Sequence, residues 1–428
     1  MADHPIQVVG AGLAGSLMAL YQARRGNDVH LWERNADLRK LTRAAGRSIN
    51  LAISTRGLTA LAQVGLEEAV LAEAVPMPGR LIHDQDGNTA FQAYGQEGQA
   101  IQSVSRRRLN EQLIDAAEQA GVQTHFEHPC HDVDLKTGTL HLGGPTGDIS
   151  VASSLTIAAD GVFSAVRGVI QRDGWFNYEQ HYISHAYSEL CIPPAADGSF
   201  QMHAEALHIW PRHDFMLIAL PNHDGSFTVT LFLRFKRDES GGPSYDDLKT
   251  PADVDAFFAR EFPDAAPLIE GLSDAFFAQP PSPLCTVRCS PFHRGDRVVL
   301  VGDAAHAVVP FYGQGMNAAF ESARLLDETL AAHTDQGEAL AAYSATRVAD
   351  AHAIRQLALD HFADMSSSTA DDVFLQARAL EVHLENHLPG YQSLYGMVSF
   401  SNIPYAEAVA KAKAQGELLA RMGELVQH

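Results

Sequence analysis

Several stretches of this chain carry residue types whose spacing suits work on a nucleotide cofactor. The most informative is Val299-Leu-Val-Gly302-Asp303-Ala-Ala-His306-Ala-Val-Val-Pro310-Phe-Tyr-Gly313-Gln-Gly315-Met-Asn317. A carboxylate at Asp303, set where a buried apolar strand ends, can reach a ligand hydroxyl. Gly313 and Gly315 let backbone N–H groups approach a ligand closely. The helix that begins near Asn317 aims its positive end at the same place. Together these features suit a group that gains negative charge, such as a reduced flavin. A Gly-Asp pair after a strand is also common in α/β loops, so the pair alone decides nothing.

A second stretch, Gly10-Ala-Gly12-Leu-Ala-Gly15, has the spacing GxGxxG, and Glu33 follows about 20 residues later. The glycines permit a tight turn and close approach of a pyrophosphate, and Glu33 can take ribose hydroxyls. Within a βαβ frame this predicts dinucleotide binding, without separating FAD from NAD. The third stretch is Asp160-Gly161-Val-Phe-Ser164-Ala-Val-Arg167, again a turn into a helix with an arginine one turn in. Other candidates are less specific. Arg47 and Arg56 face either phosphates or solvent. Arg80 and Tyr94 flank a turn at Asp86-Gly87-Asn88 on paired strands; they address one ligand, or are a solvated arginine and a half-buried tyrosine. His306 reads as packing beside the Gly-Asp turn rather than as a base.

The elements that must position these residues follow from periodicity. A strand at 6–9, a helix at 16–25 and a strand at 28–32 frame the first glycines. Residues 44–61 read as a polar loop running into a helix, and 71–95 as a strand-containing insertion. A helix at 105–120, a strand at 122–126 and a small meander precede the Asp160 turn. From about 170 to 290 three strands, 205–210, 215–220 and 226–232, are joined by turns at 211–214 and 222–225. Hairpin connections make that sheet antiparallel. One of its faces, on which Leu207 alternates with Ile209 and Met216 with Ile218, can roof a ligand or simply pack a core. A helix at 253–262 follows, and 263–283 leads back to the nucleotide fold. Helices at 317–331, 338–364, 371–387 and 404–425 complete the chain.

The totals restrict the partners. The formal charge of −21, from 31 basic and 52 acidic residues, argues against nucleic acid and anionic membrane surfaces. With 428 residues, 46% of them hydrophobic, a sizeable core is available. The cysteines Cys130, Cys191, Cys285 and Cys289 form no CxxC pair and read as structural thiols. No metal-ligating cluster accompanies them. No signal peptide opens the chain, and no run of about 18 apolar residues spans a membrane. The expectation is a cytoplasmic, soluble protein.

The order of the three stretches, interrupted by an antiparallel sheet, resembles the FAD-dependent aromatic hydroxylases of the single-component (class A) flavoprotein monooxygenases. Within that group the chain resembles the kynurenine 3-monooxygenase family. The matching blocks are Gly46-Arg-Ser-Ile-Asn-Leu-Ala52, Leu207-His-Ile-Trp-Pro211, Ile218-Ala-Leu-Pro-Asn222, Ser226-Phe-Thr-Val-Thr-Leu-Phe232, Val309-Pro-Phe311, Gly313-Gln-Gly-Met-Asn317, and Met397-Val with Phe400. They run across nearly the whole chain.

The resemblance implies an α/β fold with a Rossmann-type, glutathione-reductase-like FAD-binding domain, an inserted antiparallel-sheet substrate domain and a C-terminal helical region. The FAD domain would comprise 1–75, 96–170 and 285–335, the sheet domain 76–95 and 171–284, and the helical region 336–428. FAD would be held by Gly10, Gly12, Leu13, Ala14, Gly15, Glu33, Arg34, Ala52, Arg106, Asp160, Asp303, Gly315, Met316 and Asn317. NADPH would donate electrons without a second Rossmann fold. Arg80, Tyr94 and Tyr395 match positions that take a substrate carboxylate. Leu207, Ile209, Met216, Ile218, Phe232, Pro310 and Phe311 match an apolar wall. The implied activity is hydroxylation of L-kynurenine at ring position 3, with O2 activated on the flavin and no catalytic side chain. The other partners would be small molecules only, with the protein a monomer or homodimer.

Three positions depart from the family pattern. His361 and Asp364 stand where Asn and Glu are usual, and Tyr312 where bacterial relatives often have His. They point to an alternative, the same chemistry on a related ortho-amino aromatic acid. A flavoprotein scaffold acting only as a binding module is a further reading.

Overall fold

The computed structural model describes residues 4–41, 50–237, 239, 241–367 and 372–426, with side chains described up to 418 except 363–379. Arg47 and the side chain of Asp364 therefore lie outside the described residues.

Two large sheets divide the work. The first has six strands in the order His293–Arg294, Val298–Leu300, Leu155–Ala158, Ile6–Val9, Val29–Trp32, Gln123–His125. All pairings are parallel except that of the edge strand His293–Arg294. Val8 pairs with both Ile157 and Leu31, and all three side chains are buried. Burial on both faces is why these strands read as continuous apolar runs. The helix Leu13–Arg24 returns the chain from Ile6–Val9 to Val29–Trp32 and packs against the helices Arg106–Gln119 and Gly315–Ala332. A three-stranded sheet of Cys130–Val133, Leu140–Leu142 and Ile149–Val151 is the small meander.

The second sheet has seven strands in the order Ser282–Ser290, Asn177–Ile192, Phe227–Arg234, Phe215–Pro221, Leu207–Arg212, Gly79–His83, Thr89–Ala93. It is antiparallel except where Leu207–Ile209 runs parallel to Arg80–Ile82. That pairing joins the early insertion to the later strands and sets Arg80 opposite Leu207. Side chains alternate between the faces. Ile209, Met216 and Phe232 point to one side, into a cluster with Phe311 and Ile354. Trp210, Leu217 and Leu231 point to the other, where Val254, Phe257 and Phe258 of the helix Pro251–Glu261 cover them.

The structure departs from the sequence expectations in several elements. Asn177–Ile192 is a 16-residue strand that periodicity missed. Its outer half is polar and largely exposed, so it lacks an apolar run. Ser282–Ser290 pairs with it in the second sheet, so 263–283 does not lead straight back to the first. Asn50–Ile53 is a strand paired with Ile101–Ser105, not part of a loop. Asp303 opens a one-turn helix, Asp303–His306. The short helix Leu394–Ser399 appears between the long ones, Gln336–Ser367 and Asp372–His387 before it and Tyr405–Val426 after it. Among the described residues no helix is long and apolar enough to cross a membrane. No group of His, Cys, Asp and Glu there has the arrangement of a metal site, and the four cysteines are unpaired.

Candidate active site

The glycine turn after Ile6–Val9 is shaped by backbone packing. Gly10 has φ +98°, and a Cβ there would lie 2.5 Å from the Ala159 carbonyl oxygen. A Cβ on Gly15 would lie 1.8 Å from the Gly10 carbonyl oxygen. Gly12, by contrast, has open space where its Cβ would be and caps the helix Leu13–Arg24 with no side-chain hydrogen bond. The first N–H groups of that helix are thus left for a ligand, with the positive helix end behind them. Glu33 stands where the spacing places it. Its carboxylate accepts hydrogen bonds from the N–H groups of Ala11 (2.9 Å) and Asn35 (2.9 Å). Arg34 beside it is exposed.

A cavity of about 440 Å3 opens from this turn toward the second sheet. Gly12, Leu13, Ala14, Ala52, Arg106, Asp303, Gly315 and Met316 line it. Gly302, at φ +62°, brings Asp303 in, since a Cβ there would lie 3.0 Å from Ala14 Cβ. The Asp303 side chain is more than a third exposed, and the surface it exposes faces the cavity, with protein packed closely around it. Burial raises its pKa, and the Arg106 guanidinium partly offsets that. Glu189, on the same cavity, shows the same balance between burial and Arg106.

Some expected cofactor residues support the wall from behind. Asp160 accepts from the N–H groups of Ala165 (2.7 Å) and Val166 (3.3 Å) and so caps the helix Ala165–Arg172; Ala159 and Gly161 provide the lining there. Its other oxygen is buried with no hydrogen-bond partner among the described residues, and burial raises its pKa. Arg167 donates to the carbonyl of Ala304 at 2.9 Å, tying this turn to the Asp303 helix. Asn317 does not line the cavity. Its amide donates to the carbonyls of Ala52 (2.9 Å) and Gly313 (2.8 Å) and accepts from the Ser54 N–H (2.9 Å), which shapes the loop. His306 is buried behind the turn, 2.8 Å from the Ser322 hydroxyl, and burial depresses its pKa to about 3. It packs, as the sequence suggested.

Arg56 faces neither phosphate nor solvent. It is completely buried and ion-paired with Glu321 at 2.6 Å. The sequence expectation fails here because a lone arginine near glycines gives no sign of a partner 265 positions later.

At the other end the lining becomes aromatic and apolar. Arg80 is buried, and its Nε donates to Gln92 at 2.9 Å. Tyr94 stacks on Tyr395 with centroids 5.0 Å apart, Tyr395 on Tyr312 at 5.7 Å, and Tyr312 lies 4.7 Å from the His361 ring. Leu207, Ile209, Met216, Ile218, Phe232, Pro310 and Phe311 form the walls, with Phe232 edge-on to Phe311 at 5.0 Å. The structure thus brings together every described residue expected at the substrate. Sequence reasoning missed Asn50, Tyr187, Glu189, Thr228 and Thr230 in the lining. Thr228 and Thr230 were within reach, because they share the alternate face of Phe232. Tyr187 and Glu189 lie on the unrecognised strand.

The residues present fit a dinucleotide with a reducible ring. The glycine cradle has no room for side chains at Gly10 and Gly15, and Glu33 sits at the end of the second strand. Asn50 Oδ1, in the cavity lining, is buried with no hydrogen-bond partner among the described residues.

Comparisons with known proteins agree. A family model described as "FAD binding domain" matches residues 3–358. A kynurenine 3-monooxygenase of Myxococcus xanthus (strain DK1622) is 44% identical over 98% of this chain and 90% of its own length. One from Flavobacterium johnsoniae is 43% identical over 98% of this chain and 94% of its own length. In structure, the chain is similar to 2-methyl-3-hydroxypyridine-5-carboxylic acid oxygenase, with a TM-score of 0.71 at 23% identity over 89% of this chain and 95% of that one. It is also similar to p-nitrophenol 4-monooxygenase from Pseudomonas putida DLL-E4, with a TM-score of 0.70 at 20% identity over 90% and 94%.

Proposed function

The chain belongs to the FAD-binding-domain family and, within it, to the kynurenine 3-monooxygenases, and we propose that it hydroxylates L-kynurenine at ring position 3, consuming NADPH and O2. The observation that carries this reading is one continuous cavity. One end is lined by the glycine turn, Arg106 and Asp303; the other holds Arg80 with a stack of three tyrosines between apolar walls.

FAD would lie with its pyrophosphate on Gly10, Gly12, Leu13, Ala14 and Gly15, its ribose on Glu33, and the rest toward Arg106, Asp303, Gly315 and Met316. When bound, FAD supplies the redox chemistry, accepting a hydride from NADPH and activating O2. The chain's own residues bind, orient and keep the site dry. Arg80 takes the substrate carboxylate, a charge-assisted pairing that suits a guanidinium held by Gln92. Tyr94 and Tyr395 complete that contact. Ile209, Met216, Phe232 and Phe311 hold the ring and exclude water. The N-terminus of the helix Gly315–Ala332 favours negative charge at the cavity.

The test is mass spectrometry of the product from purified FAD-loaded protein, NADPH and L-kynurenine. One added oxygen on the carbon ortho to the ring amine is expected. Unchanged L-kynurenine, with no stimulation of NADPH oxidation, overturns the reading. His361 on the wall favours a second reading, a related ortho-amino aromatic acid as substrate. A kcat/KM panel that ranks such an acid above L-kynurenine would establish it.

A further inference from the structure

We propose that Arg56 is a positioning residue for substrate binding, acting through Tyr395 from outside the cavity. This rests on the placement of Tyr395 at the substrate given under Proposed function.

The helix Leu394–Ser399 presents Tyr395 to the cavity and is only six residues long. A helix that short has little stability of its own, and its last carbonyls lack partners within it. Arg56 supplies a partner for two of them, sharing the Met397 carbonyl with the Ser401 hydroxyl at 2.6 Å. Its guanidinium donates to the carbonyls of Val398 (3.0 Å) and Met397 (3.4 Å), and also to Ile403 in the following turn. A cation is the favourable charge at a helix C-terminus. The rest of the guanidinium is fixed just as firmly. It donates to Glu321 at 2.6 Å and lies 3.9 Å from the centroid of the Tyr405 ring. The other Glu321 oxygen takes Arg347 at 2.9 Å, on the long helix that carries His361. Arg347 also reaches Asp350 at 3.2 Å, and Asp350 accepts from the Ala406 N–H at 3.0 Å. The Tyr405 hydroxyl donates to Gln314 at 2.9 Å, next to the cavity glycines.

One buried carboxylate thus fixes the helices behind Tyr395 and His361 relative to the glycine loop. None of Arg56, Glu321 and Arg347 lines the cavity. Charges this deep add little to stability compared with apolar packing, but they fix geometry. The geometry fixed here is where the Tyr395 ring stands against Tyr94 and Tyr312.

The test is a double-mutant cycle on FAD-loaded protein with L-kynurenine, combining Arg56→Lys and Tyr395→Ala. Lysine keeps the charge but cannot span three carbonyls and a carboxylate. Arg56→Lys is expected to raise the KM for L-kynurenine roughly tenfold and to leave kcat, the KM for NADPH and FAD content within about twofold. In the Tyr395→Ala background the same change is expected to alter KM by less than about twofold, because the residue it positions is gone. An equal KM effect in both backgrounds overturns the inference and leaves the placement of Tyr395 standing. No KM effect of Tyr395→Ala alone overturns both. If Arg56→Lys does not yield folded protein, Glu321→Gln takes its place in the cycle with the same expectations. Loss of FAD in both variants shows a purely structural network and overturns the inference.

Discussion

The two ends of the cavity are built on different principles. The glycine-turn end is made of backbone. At Gly10 and Gly15 its shape comes from residues that lack side chains, held at distances where a single methyl group would collide with backbone. The tyrosine end is made of side chains that meet from remote parts of the chain. Arg80 and Tyr94 come from the early insertion, Tyr312 from the glycine loop, and His361 and Tyr395 from separate helices beyond it. The first end tolerates no side chain at Gly10 or Gly15 but depends on few residues. The second tolerates substitution of its members one at a time and depends on much of the fold to aim them.

That contrast predicts the ranking of substitution effects. The largest is expected for Gly15→Ala, whose Cβ would sit 1.8 Å from the Gly10 carbonyl oxygen. Backbone must move, at a cost of about 3 kcal/mol, and FAD binding is lost with it. Absorbance of the purified protein and a denaturant titration check this; a yellow protein of unchanged stability contradicts the backbone account. Next is Arg80→Ala. Removing one partner of a buried charge pair costs about 2–5 kcal/mol, so KM rises roughly a hundredfold or more. FAD content stays at the parent level, and a variant that loses FAD instead would merge the two ends.

Asp303→Asn sharpens the comparison through pH. Burial raises the Asp303 pKa, so the folded protein holds that proton more tightly than the unfolded chain does. Between the unfolded and folded values, stability falls as pH rises, and FAD-free protein bears the full cost above both. The side chain is exposed onto the cavity, so solvent screens most of this cost, and the variant is expected to melt only slightly higher than the parent, by about a degree, when free of FAD at neutral pH. The gain shrinks as pH falls toward the ordinary carboxylate range, and the variant retains FAD less tightly. A lower melting temperature for the FAD-free variant would show that Asp303 stabilises rather than strains the fold. The smallest effect is expected for His361→Asn, a shift of about threefold or less in KM for L-kynurenine, since the ring meets the tyrosine stack at its far end, beside Tyr312. A change of tenfold or more, measured in the same assay, would make His361 a principal determinant of specificity.

The difference between the ends also explains what was legible in the sequence. Gly10, Gly12, Gly15 and Glu33 are local, and their spacing encodes a turn and a strand length. Asp303 followed for the same reason. The tyrosine end was assigned by family resemblance, because nothing in the spacing of Arg80, Tyr94 and Tyr395 brings them together. Glu189 and Tyr187 were missed with their strand, whose outer half has the polar alternation of an exposed edge. Arg56 was misjudged because its environment is supplied by Glu321, Val398, Ile403 and Tyr405, none of them near it in the chain. Asn317 was expected among the residues that hold FAD; its side-chain amide bonds to Ala52, Ser54 and Gly313 and so shapes the loop.

The Arg56–Glu321 pair also has a consequence for how the protein is made. A ribosome delivers Arg56 265 residues before Glu321 and 347 before Ile403. Until those arrive, the helix Thr55–Gln63 cannot dock without burying a guanidinium that has no counter-charge, which costs more than the docking returns. The nascent amino-terminal half is therefore expected to stay open at this helix, and both ends of the cavity to close together late in synthesis. Chains cut before Glu321 should be cleaved by protease within Thr55–Gln63, where the full-length protein is protected; equal protection in the two would show that the helix docks without its partner.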